Sequence, residues 1–88
     1  MESFKVIEVT ISERDGDSHK YVTKIDVNQY GQIIIMTSPN VLDAMRFNNY
    51  VIENEKALHN QLMNLIKTYF PKKNHTIQYR TVTINIEK

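Results

Sequence analysis

The sequence predicts an α+β domain of two layers, a small sheet covered by helix. Three observations carry that prediction. The first 37 residues contain three short segments that alternate apolar and polar side chains or run apolar throughout. Residues 49–70 repeat their apolar side chains at helical spacing, and residues 76–87 return to a strand-like pattern. The element order is β-β-β-α-α-β: an antiparallel three-stranded meander, a short helix, a long helix and a C-terminal strand. A right-handed crossover is expected to lay the last strand parallel beside the first, giving a sheet order of 4-1-2-3.

In residues 4–13, Lys5, Ile7, Val9 and Ile11 share one side and Phe4, Val6, Glu8 and Thr10 the other, so a strand with its odd positions toward the core is expected. Asp15-Gly16 then marks a hairpin, because both positions accept positive φ. A second strand, residues 20–28, is expected to place Tyr21, Thr23, Ile25 and Val27 inward and Lys20, Val22, Lys24 and Asp26 outward. The turn Asn28-Gln29-Tyr30-Gly31 puts Gly31 in the left-handed position. The run Ile33-Ile34-Ile35-Met36 is apolar on both faces, as in a strand covered on both sides or meeting a partner. Ser38 caps and Pro39 opens a short helix carrying Val41, Leu42, Ala44 and Met45.

The long helix is expected from Asn49, as N-cap, to Phe70, with Pro71 ending it. Leu58, Leu62, Leu65 and Tyr69 recur at i, i+4, i+7 and i+11 and form the expected core stripe. The full apolar arc spans roughly 160° at the 3.6-residue period, wider than one sheet contact requires. Its surplus flank is Ile52, Met63 and Phe70, with Glu55 and His59 between them as i, i+4 neighbours. In the last strand, Ile77 and Tyr79 fall on odd positions and Val82, Ile84 and Ile86 on even ones. Either a β-bulge near Arg80-Thr81 or partial cover on both faces accommodates that phase change.

The 88 residues make one domain, 1–88, with no repeat or linker. At 41% hydrophobic residues the chain is globular, and its net charge of +1 is not the footprint of a protein built for a polyanion. The absence of cysteine excludes disulfides, thiolate catalysis and cysteine zinc sites. The first residues carry no apolar targeting core and no run approaches 18 apolar residues, so no membrane partner and a cytoplasmic location are expected. Usage of 11 Ile, 9 Asn and 8 Lys against 3 Arg matches the coding bias of AT-rich genomes.

Metal-site and catalytic patterns are thin. His19, His59 and His75 form no HxxxH or HExxH spacing, so no metal is expected. Asp15-Gly16-Asp17 lacks the later ligands of a calcium loop, and Asp17-Ser18-His19 are adjacent residues of one turn, which cannot form a relay. With 2 glycines there is no phosphate-cradling loop, and no cofactor is expected. Glu55 and His59 could act as an acid/base pair, although without a nucleophile they read more simply as a polar seam, and no enzyme is expected. Lys20, Lys24, Lys72, Lys73 and Arg80 form the alternative, a nucleic-acid surface, which Glu8 and Asp26 interrupt.

The informative anomaly is an apolar surplus. Phe4, Val6 and Val22 are expected outward, together with either Ile33/Ile35 or Ile34/Met36 and the helix flank Ile52, Met63 and Phe70. With Glu55 and His59, these residues are the expected contact surface for a protein partner or for a homodimer.

The stretch Thr37-Ser38-Pro39-Asn40 through Ala44-Met45-Arg46-Phe47 resembles a strand–turn–Ala-x-Arg-Phe–helix pattern of small phage and prophage proteins of low-GC Gram-positive bacteria. That resemblance covers residues 20–70 and implies a mobile-element origin; the strand at residues 76–87 departs from it. The β-β-β-α order is also similar to the arm-binding domain of phage integrases, whose basic, glycine-rich sheet face this sequence lacks. The expectation is a small phage protein that binds and inhibits a host or defence protein, in the manner of anti-CRISPR proteins.

Overall fold

A computed structural model describes residues 2–48, 55–70 and 73–84. Among these residues four strands, β1 (Glu2–Glu13), β2 (Gly16–Val27), β3 (Ile33–Ser38) and β4 (His75–Ile84), form one sheet, and an α-helix, α1 (Lys56–Tyr69), lies on it. The strand order is β3-β2-β1-β4, the 4-1-2-3 order expected for this α+β chain. The expected short helix is one 3-10 turn, Val41–Asp43, capped by the Asn40 side chain, which accepts from the Leu42 N–H at 3.0 Å.

Both expected hairpin turns form. Gly16 alone takes positive φ in the first (125°), while Arg14 and Asp15 stay negative, so glycine carries the left-handed torsion. In the second, Gly31 has φ 76° and the Asn28 carboxamide oxygen accepts from the Tyr30 and Gln32 N–H groups, each at 2.9 Å.

β4 runs antiparallel to β1, in unbroken register from Glu2↔Ile84 to Ile11↔His75, and not parallel as the crossover argument predicts. The route of the chain explains the difference. After β3, residues 44–47 descend beside the first half of β1: the Met45 N–H donates to the Val22 carbonyl at 2.9 Å, and Lys5 and Phe47 exchange two bonds at 2.8 Å. α1 then carries the chain back toward the β1–β2 turn, where the Asn74 carbonyl accepts from the Ser12 N–H at 2.9 Å. β4 therefore starts where β1 ends.

The irregularity lies in β2, not in β4. The β2–β3 register slips between Val22 and Lys24, so Thr23 is a bulge residue. In consequence Tyr21, opposite Glu8, lies on the face away from the helix, and Val22 lies on the helix face, the reverse of the expected assignment. Thus the phase change in β4 reflects cover on both faces. Ile77 and Tyr79 pack toward the helix, and Val82 and Ile84 pack beneath the sheet.

Two cores result. The helix-side core joins Ile7, Val9, Val22, Ile35, Ile66 and Ile77. The far-side core joins Phe4, Val6, Tyr21 and Ala44 with Val41, Val82 and Ile84. Phe4 and Val6 thus point away from the helix as expected, but the segment after β3 buries them, and the Arg46 guanidinium sits 4.3 Å from the centre of the Phe4 ring.

Candidate protein-contact surface

α1 starts weakly. Glu55 occupies the N-cap position without a side-chain capping bond, and Lys56 follows where the helix dipole favours an acid. The helix is therefore shorter than expected, and the expected Asn49 cap lies outside the described residues. At the other end the Phe70 backbone turns extended (ψ 142°) while its N–H still reaches the Ile66 carbonyl at 3.2 Å.

The face that α1 lays on the sheet is the expected partner flank. His59 and Ile66 are buried, and Leu62, Met63 and Phe70 pack against the helix-side core. His59 sits among aromatic rings, edge-on to Phe47 at 5.7 Å and to Tyr79 at 6.1 Å, with its Nδ1 hydrogen-bonded to the Tyr79 hydroxyl at 2.9 Å. Burial pushes the Tyr79 hydroxyl up from its ordinary value, so it remains protonated at neutral pH. Phe70 stacks on His75 with ring centres 5.4 Å apart. Of the expected core stripe only Leu62 packs inward, and the other three face outward: Leu58 is 59% exposed, Tyr69 46% and Leu65 37%. Relative to expectation, the helix is turned by roughly a quarter turn about its axis.

The other expected contact residues follow. Phe4, Val6 and Val22 are buried by the chain itself and offer no outer surface. Met63 and Phe70 are half-buried against the sheet, Glu55 is exposed, and Ile52 lies outside the described residues. Glu55 and His59 meet only through the main chain, the His59 N–H donating to the Glu55 carbonyl at 3.0 Å, because the imidazole is engaged with Tyr79. Of the two possible β3 pairs, Ile33 and Ile35 turn inward while Ile34 and Met36 stay exposed on the far face.

The basic residues do not assemble into one surface. Lys20 stands opposite Val9 on the helix face, whereas Lys24, beyond the Thr23 bulge, stands opposite Met36 on the far face and pairs with Asp26 at 3.6 Å. Lys73 is exposed, and Lys72 lies outside the described residues. Arg80 is committed to Glu8. Its Nη1 donates to the Glu8 carboxylate at 2.8 Å and to the Tyr21 hydroxyl at 3.0 Å, and the Gln78 amide donates to Glu8 at 3.2 Å. Thr10 bridges toward His19, whose Nδ1 lies 3.9 Å from the same carboxylate. Burial by itself raises the Glu8 value; the hydrogen bonds from Arg80 and Gln78 and the nearby charges of Arg80 and His19 outweigh it and hold the carboxyl below its ordinary range. This network is self-satisfied, which suits a buried carboxylate on a sheet face.

Among the described residues, no three His, Asp or Glu side chains converge as a metal site, and no helix is long and apolar enough to cross a membrane. No protein-family model, characterised sequence or solved structure matches the chain.

An open apolar stripe therefore remains on the outside of α1, formed by Leu58, Leu65 and Tyr69. The sequence marks the stripe but not the direction in which it faces. The 4-3-4 spacing of Leu58, Leu62, Leu65 and Tyr69 defines one face of any helix, the face expected to lie on the sheet.

Proposed function

We propose that this chain works by binding protein rather than by catalysis, as a small phage or mobile-element protein that inhibits a host or defence factor in the host cytoplasm. The outward stripe of α1 carries the reading, because apolar side chains aligned on one exposed helix face are typical of surfaces that another protein covers. Ile34 and Met36, 40% and 53% exposed on the far face of the edge strand β3, form a second and smaller patch. The alternative nucleic-acid surface finds less support, since Lys20 and Lys24 lie on opposite faces and Arg80 is bound to Glu8.

Affinity capture from lysate of a low-GC Gram-positive host tests the reading. The wild-type chain is expected to retain a defined protein that is lost with Leu58→Lys/Leu65→Lys or with Ile34→Lys/Met36→Lys. Equal capture by both double variants and the wild type defeats it.

A further inference from the structure

We draw no further inference here: the strongest candidate, the sheet edge at β3 with Ile34 and Met36 exposed along its far face, carries nothing, because a strand edge accepts any extended segment and nothing in the structure shows what covers it.

Discussion

Glu8 shows how a single carboxylate is made compatible with a sheet face. It is buried between Tyr21 and Gln78, and Arg80 closes over it while remaining half exposed. Folding lowers its protonation value, so the unfolded chain holds that proton more tightly than the folded one. The stability it contributes is complete above the ordinary carboxylate value of 4.5 and is lost as pH falls through the lowered value. Glu8→Gln is expected to cost about 1 kcal/mol at pH 7, the exposure of Arg80 limiting the loss. It should also flatten the decline in urea midpoint between pH 5 and 2 relative to the wild type. Adjacent residues on the helix give a second contrast. Ile66→Ala empties a buried position and is expected to cost about 2–4 kcal/mol, whereas Leu65→Ala, on the outer stripe, should cost less than about 1 kcal/mol in chemical denaturation of the monomer. Equal costs would return Leu65 to the core.

At the scale of elements, two local features govern how the layers meet. The Thr23 bulge divides β2, so that Val22 and Ile25, three residues apart, both serve the core above the sheet while Tyr21 serves the core below. The segment from Ala44 to Phe47 stitches Val22 to Lys5 and carries Ala44 under the sheet and Phe47 above it. The start of α1 is the weak element, with an uncapped Glu55 and a lysine at the positive end of the dipole. Glu55→Ser supplies a hydroxyl to an N–H of the first turn and is expected to stabilise the fold by about 0.5–1 kcal/mol, seen as a higher thermal midpoint.

For the whole molecule, apolar surface is buried more completely than a one-sided sheet suggests, and what remains open is divided between the outside of α1 (Leu58, Leu65 and Tyr69) and the β2–β3 edge with the 3-10 turn (Val27, Tyr30, Ile34, Met36 and Leu42). If a protein partner covers the stripe on α1, folding and binding are linked. The thermal midpoint of the wild type should then rise as the partner recovered by affinity capture is added, while that of Leu58→Lys/Leu65→Lys should not.

The sheet order was expected from a right-handed crossover that runs β4 in the wrong direction, whereas the α+β class, the hairpin at Gly16, the turn at Gly31 and the inward odd positions of β1 were legible from periodicity and turn chemistry. These depend on near neighbours, and near neighbours are what a one-dimensional pattern records. The candidate surface was legible only in part: Leu58, Leu62, Leu65 and Tyr69 stood out as a stripe, but nothing in the chain said which way the stripe faces. A helix with an apolar arc of roughly 160° can present either flank to a sheet at similar local cost. The choice fell to Phe47 and Tyr79, which receive His59, and to His75, which receives Phe70. The same limit hid the Thr23 bulge and the direction of β4. A one-residue slip reverses every face beyond it, and its compensation lies in contacts with Ala44, Met45 and Phe47, more than twenty residues away. Sequence determined which segments pair; tertiary packing decided which side of each one is left for a partner.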